Sequence, residues 1–186
     1  MKTVLFSSFL ALGLGLIACN NDSNQHQDTV DSAKTVNKEI KAVQADASNF
    51  AVNAANGGMM EVELGRVAQD NASSPRVKAF GAMMIKDHTE ANNDLKGIAT
   101  SLNIALPDSV SNDTRSEIEH MKMKKGKAFD KAYIGMMLDD HKKDIAEFRK
   151  CADKCSDSTI KSFAYNTLPV LEKHLDSIQA IAGKKP

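Results

Sequence analysis

Four long segments of this chain carry apolar residues at alternating three- and four-residue steps, the spacing of one face of an α-helix. The first reads Phe50, Ala54, Gly57, Glu61, Leu64, Ala68. The second reads Val77, Phe80, Met84, His88, Ala91, Leu95, Ile98, Leu102. The third reads Phe129, Tyr133, Met137, His141, Ile145, Phe148, Ala152, and the fourth Ile160, Ala164, Thr167, Leu171, His174, Ile178, Ile181. None of them alternates with the two-residue step of a strand. Stripes of this length are hidden from water by packing against one another. A weaker continuation through Val36, Ile40, Val43 and Ala47 can lengthen the first helix towards the N-terminus.

The connections set the topology. Asn71 to Ser74 and Asp153 to Asp157 are short links, so each joins two antiparallel helices. Ser73-Ser74-Pro75 supplies a cap and a proline for the first helical position of the second segment. The longer middle connection is polar from Asn103 to Asp113 and then amphipathic from Thr114 to Lys125. The expected architecture is all-α: a ferritin-like antiparallel four-helix bundle over residues 46–183, with a short extra helix in the middle connection. Pro169 falls inside the fourth stripe and should kink it. Composition agrees, because 42% hydrophobic residues can build a core while 5% aromatics and no Trp favour helices over strands. The 24 basic and 24 acidic residues cancel, which argues against a nucleic-acid partner.

The N-terminus points to export. Lys2 precedes an uncharged run from Thr3 to Ala18, shorter than the ~20 residues of a membrane-spanning helix. It ends in Leu16-Ile17-Ala18-Cys19, the pattern of a bacterial lipoprotein signal whose cysteine is acylated. Residues 1–18 are therefore expected to be a signal peptide. Residues 19–45 are expected to be lipidated Cys19 and a flexible tether with some helix at its end. The expected location is the cell envelope, at the outer membrane or the periplasmic face, with the lipid as the membrane contact. Cys151 and Cys155 stand four apart. They can pair in an oxidising compartment if the helix ends nearby, remain free thiols, or bind a metal.

The residues that break the apolar rule carry the chemistry. Glu61, His88, His141 and His174 each fall on the inward face of a different helix. His174 is the least well matched in depth, by roughly 7 Å at the helical rise per residue. A carboxylate and three imidazoles in a bundle core suit one transition metal ion, zinc, copper or iron. Asp87 and Asp140 precede two of the histidines as supporting partners, and Met84 and Met137 stand one turn before them. The segment Phe80 to His88 echoes Tyr133 to His141, each with an aromatic, two methionines and Asp-His. The same residues can instead form a closed polar network that fixes helix register. Residues three before each histidine, Ile85, Leu138 and Leu171, are apolar, which leaves too few carboxylates for a two-iron oxidase. Histidines buried in the neutral form would make the bundle lose stability below about pH 6.

Taken together, Glu61-Val-Glu-Leu-Gly65, Ser74-Pro75-Arg-Val-Lys-Ala-Phe80, Met84-Ile-Lys-Asp87-His88, Phe129-Asp130-Lys-Ala-Tyr133, Asp140-His141 and Leu168-Pro169-Val-Leu-Glu-Lys-His174 resemble a bacterial family of exported ferritin-like proteins. That family is catalogued as domain of unknown function 4142, with members labelled outer-membrane proteins. The resemblance runs from about Phe50 to Ile181 and implies the helical bundle without implying an activity. The first functional reading is thus a lipid-anchored, exported helical module with a non-catalytic binding or envelope and stress-related role. The alternative is a metal-binding protein with a mononuclear Glu/His site. No protein partner is specified by either.

Overall fold

The computed structural model describes residues 28–41 and 43–183. The signal segment, Cys19 and the stretch from Asn20 to Gln27 lie outside the described residues. Those residues form six helices: α1 (Thr29–Ile40), α2 (Ala45–Asn71), α3 (Pro75–Ser101), α4 (Asn112–Lys122), α5 (Gly126–Lys154) and α6 (Ser158–Ile181). No described helix is long and apolar enough to cross a membrane. Helices α2 and α3 make one antiparallel hairpin, α5 and α6 the other, and α4 is the short helix of the middle connection.

Each hairpin link is clipped by an aspartate of the opposite hairpin. Asp130 of α5 accepts from the backbone N–H groups of Ser73 and Ser74, at 3.1 and 3.0 Å. Asp46 of α2 accepts from Ser156, at 2.8 Å from its N–H and 2.7 Å from its hydroxyl. The start of α3 therefore differs from expectation. Pro75 holds the first position, but the Ser74 side chain makes no cap bond; Asp130 instead ties down the link through the N–H groups of Ser73 and Ser74, ahead of the first helical turn. Asp157 caps α6 directly, accepting from Thr159 and Ile160.

The depth of α2 against α3 is set by two glycines. A Cβ on Gly65 would stand 2.6 Å from the Gly81 carbonyl oxygen, and one on Gly81 would stand 2.9 Å from the Gly65 oxygen. Only hydrogen at both positions lets the backbones touch there. One turn above Gly65 is Glu61, and two turns beyond Gly81 is His88.

The core has two apolar layers. Leu64, Phe80, Met84, Tyr133, Met137 and Ile178 belong to one, and Phe50, Leu95, Ile145, Ile160, Phe163 and Leu171 to the other. The polar residues of the four stripes lie between them.

Helix α1 departs from the sequence reading. It is a separate helix and does not extend α2, because Lys41 turns the chain with a left-handed φ of 52°. That turn resets the helical phase, so a step count carried across it fails. Val36 and Ile40 are accordingly 40% and 52% exposed, while Val30, Ala33 and Asn37 face inward. The Asn37 side chain bonds both backbone groups of Ala105, at 2.9 and 2.7 Å. Asp28 caps α1 and also accepts from the N–H of Asn112, at 2.7 Å. The end of the expected tether is thus helix docked on the bundle.

Candidate metal centre

The four inward polar residues meet at one level. Glu61 is 1% exposed, and His141 and His174 are 0% exposed. His88 is buried as well. The ring centroids of His88, His141 and His174 stand 5.3 to 5.9 Å apart. One ligand nitrogen from each ring lies within 4.8 Å of the other two. The expected depth mismatch of His174 is therefore absent. Pro169 is accommodated inside α6 on its exposed side.

Each imidazole has one nitrogen against an acceptor and one without a partner. His88 Nδ1 is 2.9 Å from Glu61 Oε2. His141 Nδ1 is 2.9 Å from the backbone oxygen of Met137 on its own helix. His174 Nε2 is 3.0 Å from Asp87 Oδ2 across the bundle. An acceptor at one nitrogen fixes the neutral tautomer that carries its proton there. The nitrogens left without a partner are His88 Nε2, His141 Nε2 and His174 Nδ1. A metal-ligating histidine is oriented this way, by a carboxylate or carbonyl behind it.

Glu61 stands beside this trio without joining the mutually close set. Its Oε1 is 3.4 Å from His141 Nε2, and both atoms lack a hydrogen-bond partner. Ligand atoms around a tetrahedral zinc ion stand roughly 3.3 Å apart, given its short bonds. The Glu61–His141 edge already has that length, and the rings need to close only modestly. The residues present therefore fit a transition metal ion.

Electrostatics agree with neutral rings. Burial pushes His88 down to about 4, with the Asp144 and Asp87 carboxylates opposing it. Burial also pushes His174 down to about 4, against the hydrogen bond to Asp87. His141 is lowered by burial as well, against the pull of Glu61. The carboxylates shift the other way. Burial raises Glu61, with His141 opposing it. Burial brings Asp140 up to about 6, with Lys143, 3.9 Å away, opposing it.

The supporting residues divide. Asp87 is in place behind His174. Asp140 leaves Oδ2 without a partner and touches none of the three rings among the described contacts. Met84 and Met137 are fully buried in the apolar layer with Phe80 and Tyr133. Cys151 and Cys155 form a disulfide with Cα atoms 4.6 Å apart. Helix α5 ends at Lys154, so Cys155 leaves the helical path and can turn back.

Sequence reasoning missed Asp144. It lines a small cavity with Glu61 and His88. Burial, and after it the Glu61 carboxylate, raise its pKa. A carboxylate three residues after His141 lies one turn away on the same face, a position that the Glu-x-x-His pattern of two-iron sites does not reach.

The profile of a family described as Domain of unknown function (DUF4142) matches residues 24–181. No curated protein shows detectable similarity to the chain. Among solved structures, a Streptomyces coelicolor protein provisionally described as a secreted DUF305 protein is similar with a TM-score of 0.61 and 19% identity. The likeness covers 76% of this chain and 96% of that one, and it supports the helical fold.

Proposed function

For a chain that belongs to the DUF4142 family, as its match over residues 24–181 establishes, we propose an exported metal-binding bundle that holds one transition metal ion in its core. His88, His141 and His174 are the donors, and Glu61 supplies the carboxylate that completes the set. The observation that carries this reading is the pairing of convergence with tautomer control. Three buried rings bring a nitrogen each within 4.8 Å of one another, and each has its other nitrogen against an acceptor. Neutral imidazoles with one carboxylate suit zinc, copper or iron. The two methionines pack in the apolar layer, so the reading uses no thioether ligand.

The lipoprotein-like pattern ending at Cys19 supports export and lipid anchoring at the envelope. The disulfide fits an oxidising compartment. The role is binding, and no reaction step is assigned to the site.

The test is metal content and melting temperature of the protein purified without chelators. Stripped protein should gain thermal stability with zinc or copper, because a ligand that binds the folded state alone stabilises it. His141→Ala should abolish that gain. The competing reading is a closed polar network that fixes helix register, favoured by the contact of Glu61 with His88. It predicts a melting temperature indifferent to either metal.

A further inference from the structure

We propose that the Cys151–Cys155 disulfide is a redox-active exchange centre, which takes two electrons from a thiol entering the cleft between α2 and α5. The bond lies at the α5–α6 link, about 15 Å along α5 from His141 by the helical rise, and its chemistry does not depend on a metal.

The two cysteines are 4% and 7% exposed. With the buried ring of Phe50 they floor a cleft of about 290 Å³, whose rim is made of exposed side chains from α2 and α5. One liquid water occupies roughly 30 Å³, so the cleft has room for a group the size of a cysteine side chain to reach the sulfurs.

The rim suits an anionic nucleophile. Lys150 and Lys154 stand on it, both exposed, and among the described residues neither is held in an ion pair. Two carboxylates share the rim, Asp46 and Glu147. Asp46 is already engaged by the N–H and hydroxyl of Ser156, which leaves Glu147 against two lysines. Cations beside a disulfide draw in the attacking thiolate and stabilise the one that leaves.

The fold does not need the bond. A cross-link constrains the unfolded chain less the shorter the loop it closes, and this one joins residues only four apart. The link is held independently by the Asp46 clip, by the Asp157 cap of α6, and by the Cys155 N–H donating to the Cys151 carbonyl at 2.9 Å. A disulfide that adds little stability and is reached from solvent is placed for exchange.

The chemistry balances with a thiol as co-reactant. A thiolate attacks one sulfur, the Cys151–Cys155 bond breaks, a mixed disulfide forms, and the released sulfur takes a proton. A second thiol then attacks the mixed disulfide and frees the other cysteine as a thiol. Two partner thiols become one disulfide, and the protein gains the two electrons and two protons they lose.

The experiment uses the oxidised full chain carrying Cys19→Ser, so that the pair alone reports, with chelator present so that no metal captures the thiols. Dithiothreitol or reduced glutathione is added without denaturant, and free thiols are counted with a maleimide mass tag. Two tags should appear at a rate proportional to thiol concentration and faster than the chain unfolds. The reduced chain should keep its helical circular dichroism and lose less than about 10 °C of melting temperature. Glutathione disulfide should restore the bond. Lys150→Gln with Lys154→Gln should slow exchange by about three- to tenfold while the oxidised chain melts as before. A reduced thioredoxin-type protein run in parallel identifies the donor: faster exchange per thiol than glutathione points to a protein dithiol, slower to a small thiol, and either supports exchange. Reduction only in denaturant, a rate that matches unfolding whatever the thiol concentration, loss of helix on reduction, or wild-type exchange in the lysine variant would overturn the proposal. The imidazole reading stands or falls separately, on metal content.

Discussion

Helices α3 and α5 carry the same short pattern, Met-x-x-Asp-His, and the structure uses the two copies differently. Met84 and Met137 are both fully buried, and His88 and His141 sit at the same level. The aspartates part company. Asp87 reaches across to α6 and accepts from His174 at 3.0 Å. Asp140 stays on its own helix, 3.9 Å from Lys143, with one oxygen unpartnered. The imidazoles differ too, since His88 leans on Glu61 of α2 while His141 leans on the Met137 carbonyl of α5. A repeated helical pattern fixes which residues point inward and at what depth. The partner each one finds depends on the neighbouring helix, which the repeat does not encode.

The largest expected effect comes from removing an imidazole. His141→Ala should cost about 3 kcal/mol of stability, since it empties a fully buried position. It should also abolish zinc uptake, and chemical denaturation with metal analysis would check both. Next comes the aspartate that crosses the bundle. Asp87→Asn should weaken zinc binding by about 10- to 100-fold, because the amide no longer holds the His174 proton in place. Asp140→Asn makes the same change in the other copy and should leave zinc affinity within about twofold, since Asp140 orients no ligand. It should raise stability slightly, because an incompletely paired, half-buried carboxylate becomes neutral. Equal losses of affinity in the two variants, by isothermal titration, would erase the distinction between the copies.

The smallest expected effect is on pH dependence, and here the structure changes the expectation. His88 and His174 titrate at about 4 when folded, against an ordinary 6.5. Their contribution is present above 6.5 and is lost as pH falls towards 4. Asp140, at about 6 against an ordinary 3.8, works in the opposite sense. So do Glu61 and Asp144, which are also raised. Their contribution is present at low pH and is lost as pH rises through their folded values. The two trends oppose each other between the ordinary carboxylate and imidazole ranges. Metal-free protein should therefore melt at a nearly constant temperature from about pH 4.5 to 6, in place of the loss below about pH 6 expected from the histidines alone. Zinc, which needs neutral rings and an ionised Glu61, should raise the melting temperature more at about pH 7.5 than at about pH 5. Scanning calorimetry across that range with and without zinc would check the sign.

Much of this was legible in the chain because helical period is a local property. The four long stripes, both short links and the inward positions of Glu61, His88, His141 and His174 all follow from step counting within one helix. What escaped depends on relations between elements. Helix α1 could not be phased, because the left-handed turn at Lys41 breaks the count. The matching depth of His174 was hidden, because register between helices is set by packing such as the Gly65–Gly81 contact and the two aspartate clips. Asp144 went unseen because its importance comes from facing Glu61 of another helix. Asp140 looked equivalent to Asp87 because sequence shows position and not partner.

Anomalous diffraction from crystals of the zinc-loaded protein, recorded at the zinc edge, tests the central claim most directly. The account predicts a single strong peak in the core at about 2.0 Å from His88 Nε2, His141 Nε2 and His174 Nδ1. A core with no anomalous density, or zinc held only by surface carboxylates while the three rings keep their present spacing, would contradict it.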